Sequence, residues 1–458
     1  LTITGASVRD EKGAGIFGDY GNRNVEISNN IITGNGGYYG GGIWAHRSNH
    51  DWFIHSNTIS QNGIFGGYGG GISFNDEPDE YEVEHGQPEH IWDDYAPGPP
   101  PGTIEIYNNL IFHNWSPDYG GGVALYETKD HLVIYGNTMT ENLADDHGGA
   151  MFFEDTGPID IYDNVFLRNF CYDDGGAISF EDVADTLSHI NVWNNLFAEN
   201  IADDHGENHA RGGALAFDDV RDANVFNNTI TGNIVAGSYE PAGGAIDSER
   251  HGHEYNGGDG PYMSPGYSDP KIFNNVIYDN YKLKYDQPLG TDEEDMDFTW
   301  GNNYRWSIDE MHVDNPALQG DWDSHLNSES FTQVSYNDIR GGYSNGIGNV
   351  DLNPKFVSRF NQNWRLQGTS PVIDAGMAVL GPVTDLEGRA RTVSGGMIDV
   401  GAFEYHVIEM NIVRLPTGIP QRVKLPKPRL PQIDPPPPPP NPIPRARPVG
   451  RVRQVLKP

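Results

Sequence analysis

The chain has 458 residues, a formal net charge of −36, a single cysteine, 57 glycines and only 36% hydrophobic residues. One cysteine excludes a disulfide framework, and the lack of any apolar run of about 18 residues excludes a membrane span by a helix. The acidic balance disfavours nucleic acid and anionic membranes as partners of the body and favours cations.

Leu1 to Thr4 (LTIT) reads as a strand with no visible cap before it, so an upstream piece or another molecule is expected to cover this end. Gly13-Ala14-Gly15-Ile16 then opens a signal, Gly-Gly-small-apolar, that recurs with its small residue at Gly15, Gly42, Gly71, Gly122, Ala150, Ala177, Ala214 and Ala245. The gaps are 27, 29, 51, 28, 27, 37 and 31, a base period of 27 to 28 residues with loops inserted. In step with it run eight asparagine pairs of constant spacing: Asn30/Asn35, Asn57/Asn62, Asn109/Asn114, Asn137/Asn142, Asn164/Asn169, Asn195/Asn200, Asn228/Asn233 and Asn275/Asn280. Self-similarity at this period means a repeat architecture.

Side-chain alternation chooses strands over helices. Ile27, Ile54, Ile106, Ile134, Ile161, Val192, Val225 and Ile272 stand three residues before each first Asn, with apolar partners such as Val25, Trp52, Ile104 and Leu132 two residues earlier. A second strand follows the glycines (Met151/Phe153, Ile178/Phe180), and a short third lies inside each pair. Three strands per rung over ten or more rungs give a parallel β-helix, whereas a helical solenoid would show apolar residues at three-and-four spacing. The paired asparagines are expected to take the left-handed conformation at tight bends and to bond along their columns through stacked amides.

Three insertions read as loops: Asn75 to Gly102 with nine carboxylates and APGPPPG, Ser248 to Asp269 rich in Gly, Tyr and His, and Asp286 to Asp297 with DEEDMD. The period breaks near Phe298. The chain thus divides into a coil with loop insertions over 1–297, a C-terminal continuation or capping module over 298–408, and a basic proline-rich tail over 409–458. Residues 414–458 hold ten Lys/Arg against the single acid Asp434, a net +9 that leaves −45 on the rest. Pro435, Pro436, Pro437, Pro438, Pro439 and Pro440 force an extended polyproline II rod without backbone donors.

Residues 370–376 (SPVIDAG), 385–391 (DLEGRAR) and 399–404 (DVGAFE) resemble the C-terminal part of secreted bacterial right-handed parallel β-helix proteins. The earlier rungs are similar to the GGA[I/L] and FxxN repeats of polymorphic outer-membrane and adhesin-type surface proteins. The resemblance covers roughly residues 1 to 405 and implies a right-handed coil and an extracellular or cell-surface setting. That group mixes adhesins, uncharacterised surface proteins and polysaccharide lyases, so it implies no one activity.

If the rungs stack in register, acids four and five residues after the small residue form a ladder: Glu154 and Glu181, with Asp155, Asp182 and Asp219. Asp145, Asp146, Asp173 and Asp174 form a second acidic set before the glycines. Carboxylates about 5 Å apart raise one another's pKa or demand a cation, for which calcium is the expected choice, with no organic cofactor. Aromatic ladders are expected at Tyr39, Tyr68 and Tyr119, and at Tyr107, Tyr135, Tyr162, Trp193, Phe226 and Phe273, where they would stack sugars or pack a partner. Asn114 (NWS) and Asn227 (NNT) match the N-glycosylation pattern, and Cys171 reads as a buried small hydrophobe.

No catalytic residues are assigned. A lyase needs a base beside its metal, but the basic residues of the coil are scattered, and acid pairs are uninformative in a chain with 65 acids. The leading expectation is a non-enzymatic structural subunit of an extracellular filament or surface appendage, polymerising head to tail with itself. In it the tail docks on the Tyr107-to-Phe273 column of a neighbour, with Arg445, Arg447, Arg451 and Arg453 facing acids of the coil. A polysaccharide lyase or hydrolase, and a glycan-binding adhesin, are the alternatives.

Overall fold

The computed structural model describes residues 1–406 except 8–14, 20, 47–48, 76–100, 184–188, 205–209, 221, 238–240, 250–253, 256–261, 264–269, 286–303, 309, 314–332, 345 and 379–380. The chain separates into two units, Leu1–Val407 and Ile408–Pro458. The tail, with its proline run and with Arg445, Arg447, Arg451 and Arg453, lies outside the described residues, as do most of the acidic insertion and the DEEDMD segment.

The body is a parallel β-helix. One rung shows how the sequence makes it: His131–Tyr135 alternates inward Leu132 and Ile134 with outward His131, Val133 and Tyr135. The chain bends at Asn137, runs through Thr138–Thr140 with Met139 inward, bends at Asn142, forms the two-residue strand Leu143–Ala144, and returns through the glycines to Met151–Glu154. Each strand pairs in parallel with its equivalent one rung on, building four sheets among the described residues. Sheet 1 runs from Arg23–Ser28 to Gln333–Ser335, and sheet 2 from Thr2–Thr4 to Asp338–Ile339. Sheet 3 runs from Gly36–Gly37 to Tyr281–Tyr285, and sheet 4 from Ile16–Gly18 to Met311–Val313. Sheet 2 has ten strands, matching the expected length of the coil. Sheet 3 is the addition to the three strands expected per rung. Tyr304–Ile308 joins it antiparallel to Tyr281–Tyr285.

The core is a set of identical positions stacked in register. Ile54, Ile106, Ile134 and Ile161 are successive neighbours in sheet 1, and Phe153, Phe180 and Phe217 stack in sheet 4 with ring centroids 5.1 Å apart. The glycines close the rung where chains come nearest. Gly148 has φ +67°, and a Cβ on Gly149 would lie 2.5 Å from the carbonyl oxygens of both Gly176 and Phe170.

Two asparagine ladders fill the bends. Asn164 Oδ1 accepts from the backbone N–H and side-chain amide of Asn137 at 2.9 and 3.0 Å, and Asn164 Nδ2 donates to Ile134 O at 2.9 Å and Asn195 Oδ1 at 3.1 Å. The same bonds repeat from Asn30 to Asn337, where Asn349 ends the column. The second ladder runs from Asn35 to Asn280 and ends on Glu310. The amides therefore stack as expected, but the ladder asparagines are not the left-handed residues. Positive φ falls one residue earlier, at Asn29, Ser56, Asn108, Gly136, Asp163, Asn194, Asn227, Asn274 and Tyr336 for the first ladder. The bend is thus shared: one residue takes the unusual backbone, and the next satisfies the exposed polar groups.

Beyond residue 353 the chain leaves the coil and packs on the outer side of sheet 2. Trp364, Ala402 and Phe403 cover Leu167, Leu196 and Ala198, while Leu366, Val372 and Val400 cover Val276. The left-handed corner residues anchor it. Asn194 accepts from Arg391 at 2.8 Å and donates to Thr384 O at 2.7 Å, and Asn274 donates to Met377 O and accepts from Met377 N–H. Within the module the residues of the three C-terminal motifs are scaffold. Arg391 and Glu404, each 1% exposed, pair at 3.3 Å, and buried Asp385 and Asp399 accept backbone N–H groups.

Candidate functional site

The outer side of sheet 1 presents two columns side by side. In one, His55, Tyr107, Tyr135, Tyr162, Trp193, Phe226 and Phe273 stand in register, all half-buried. Their ring centroids are 4.4–5.6 Å apart and their planes within 1° to 12° of parallel. The expected column is therefore real, and His55 extends it. Because each inner ring faces its neighbours, the column offers a ribbon of ring edges rather than platforms for stacking sugars. The adjacent column carries Glu105, Val133, Asp160, Asn191 and Asn224, where Asn191 donates to Asp160 at 2.9 Å and Asn224 to Asn191 at 3.0 Å. Burial and then Glu105 push the Tyr135 hydroxyl up to about 12.

A second candidate lies on the glycine side. Tyr68 and Tyr119 stack at 5.2 Å, Tyr39 stands 6.3 Å from Tyr68 with its ring tilted by 46°, and His147 continues the line 5.3 Å from Tyr119. They lie over Trp44, Tyr126 and Phe152 of sheet 4, so their partners are the chain's own rings. Just beyond, Glu154, Glu181 and Asp218 are register neighbours in sheet 4. Burial, with Glu181 adding, raises the Glu154 carboxyl to about 8, and burial with Asp218 does the same for Glu181. Asp173 is raised to about 6 by burial against the attraction of His147, and Asp174 is pushed well up by burial and Asp173.

Ligand atoms of Asp146, His147 and Asp173 lie within 4.8 Å of one another, so of the acids expected to hold a metal, Asp146 and Asp173 come together. His147 was missed by sequence reasoning, because it occupies a position that the preceding rungs fill with tyrosine. An imidazole nitrogen with carboxylate oxygens suits zinc or manganese better than calcium, which takes oxygen ligands. The remaining acids have local duties. Asp145 accepts from the Trp115 indole at 2.9 Å, and Asp155, Asp182 and Asp219 occupy left-handed corners after sheet 4, a conformation that Asp tolerates.

The corners before the second ladder bear a charge ladder: Glu141 pairs with His113 and, at 2.6 Å, with Arg168, while Asp279 pairs with Arg340 and Arg359. Both sequons are closed in the folded chain. Asn114 is 1% exposed with its amide bonded to Asn142 and Ile59 O, and fully buried Asn227 lies under the C-terminal module, bonded to Asp399 O and Gly401 O. Neither amide reaches solvent to carry a glycan. Cys171 is buried in sheet 3 among Ala144 and Ala202.

Comparison with known proteins adds no relative: no family model matches the chain, and neither a curated protein nor a solved structure matches it at a significant level.

Proposed function

We propose that this chain is a non-enzymatic structural subunit of an extracellular filament or surface appendage, in which the basic proline-rich tail of one copy docks on the aromatic column of the next. The observation that carries the reading is the column from His55 to Phe273, in register along sheet 1 beside the acids Glu105 and Asp160. A polyproline II rod completes a turn of three residues in about 9.3 Å. Two rungs of strands spaced about 4.8 Å apart cover about 9.6 Å. Pro435 to Pro440 would then lie along about four rungs without losing step, and the arginines that follow would meet the acidic body. A preformed rod loses little entropy on docking. A divalent cation held by Asp146, His147 and Asp173 belongs to the same proposal, as a clamp between rungs.

The test compares the full chain, a chain ending at residue 407, and a full-length variant with Pro435 to Pro440 replaced by Gly and Ser. Electron microscopy and sedimentation should show polymers for the first alone, weakened by high salt as the charge pairs are screened. Filaments from the truncated chain would refute the role of the tail and move the glycan-active alternatives ahead.

A further inference from the structure

Between the coil and the C-terminal module lies a cleft of about 650 Å³, within the size range of small-molecule sites. Its floor is aliphatic, from Val165, Leu167 and Leu196 of sheet 2. One wall is Tyr135 with the corner residues Asn108 and Asp163, and the opposite wall is the hairpin segment from Gln362 to Arg365 with Glu387.

At this cleft the corner column changes from anchoring the module to facing open space. Asn194, Asn227 and Asn274, the next corners along, spend their side chains on the module. The module's hydrogen bonds to this column stop at Asn194, and Asp163 is one rung further. Asn194 donates to the Asp163 carboxylate, while Asp163 Oδ1 is buried and has no hydrogen-bond partner among the described residues. A buried acceptor left unpaired gains from any donor that reaches it, and a hydroxyl-bearing ligand supplies one. At the following corner Gly136 has no side chain, and the Asn108 side chain takes that space: a Cβ there would lie 2.4 Å from Asn108 Oδ1.

We propose that this cleft binds a short stretch of a neutral polysaccharide, its hydroxyls donating to Asp163 and bonding Asn108 while its C–H face lies on the aliphatic floor. Three features favour this chemistry. Asp163 as a carboxylate only accepts, so the ligand must donate. Arg365 is committed to Glu387 at the rim through two hydrogen bonds, so the cleft has no free guanidinium to draw an anionic sugar. Tyr135, held between Tyr107 and Tyr162, turns its electropositive edge outward, which favours ligand oxygens over a cation.

The experiment uses the full-length chain with maltohexaose, cellohexaose, mannohexaose and xylohexaose as probes, read by saturation-transfer NMR and calorimetry. At least one should bind, and Asp163→Gly, which installs at this corner the residue that position 136 already carries, should weaken it by about tenfold or more at a melting temperature no lower than that of the wild type. Asp163→Asn, which keeps a side chain suited to positive φ, is the second variant and should also weaken binding. No binding by any of the four, or affinity that survives both substitutions, overturns the assignment. A synthetic peptide of residues 414–458 that binds the wild type but not Asp163→Gly, with no sugar bound, would give the cleft to the tail instead. Either failure leaves the filament reading to its own test.

Discussion

The side-chain amide of Asn280 donates to the carboxylate of Glu310 at 2.6 Å, so the second asparagine ladder ends on an acid. Glu310 also accepts the backbone N–H of Asp279 at 2.9 Å, and in doing so it stands in for the next asparagine of the column. Its carboxyl is nevertheless pushed up to about 8, because burial outweighs the hydrogen bonds that favour its charge. A carboxyl raised above its ordinary value of 4.5 binds its proton more tightly when folded. The stability it lends is complete below that value and is lost as pH rises through about 8.

Glu310→Ala should therefore destabilise the coil by about 1–3 kcal/mol at pH 5, leaving donors of Asn280 and Asp279 unpaired, and by less at pH 8. Glu310→Gln keeps one acceptor and should fall between the two. Thermal unfolding of the three proteins at both pH values checks this, and equal losses at pH 5 and 8 would contradict the titration.

Ladder positions should lose far more than corner positions on substitution. Asn164→Ala removes the acceptor used twice by Asn137 and the donor to Ile134 O, so a loss of about 3 kcal/mol or more is expected. Asn108→Gly, at φ +54° on the corner two rungs earlier, should cost less than about 0.5 kcal/mol, since glycine adopts that backbone freely. Denaturant unfolding of the pair decides. Comparable losses would mean that the corner side chains carry more of the bend than the geometry indicates.

This contrast also explains what the sequence made legible. The ladder asparagines are invariant because a specific side chain bonds in three directions, so they announce the bends. The strained backbone sits on a residue whose identity wanders through Asn, Ser, Gly, Asp and Tyr, and the strain was therefore assigned to the visible neighbour. Strands such as Leu143–Ala144 are too short to show alternation, which hid sheet 3. The inward columns needed only local period-two patterning and were readable. Asp163, Glu310 and the anchoring of Asn194 by Arg391 depend on partners 30 to 197 residues away, and no local pattern encodes them.

Arg391 is the residue on which the C-terminal module should depend. Besides Glu404 it reaches Thr384 O, Asp399 O, Gly401 O and Asn194 Oδ1, all from a buried position. Arg391→Met strands Glu404 as a buried charge and should cost about 3–5 kcal/mol. Adding Glu404→Leu should recover only part, because the carbonyls still lack their donor. Limited proteolysis should then cleave the module away from residue 353 onward while the far-ultraviolet circular dichroism of the coil persists. Full rescue by the double variant would show that charge burial alone, and not the carbonyl network, holds the module.

The acids of the glycine side give the last prediction, on pH and cations together. Glu154 and Glu181 are both raised to about 8, chiefly by burial, so each lends stability that is whole below its ordinary value and drains away as pH rises through about 8. In chelator the melting temperature should therefore climb as pH falls from 8 to 5, and Glu181→Gln should flatten that climb. A divalent cation held by Asp146, His147 and Asp173 would counter the same repulsion from the charged side, since the coordinating groups must be deprotonated. Zinc or manganese added at pH 8 should raise the melting temperature more than calcium does, and Asp173→Asn should abolish the increment while leaving the chelator baseline in place. A melting temperature that is flat across this pH range, and unmoved by all three metals, would mean that the acid columns are fully solvated and that the rungs are held by their amides and apolar ladders alone.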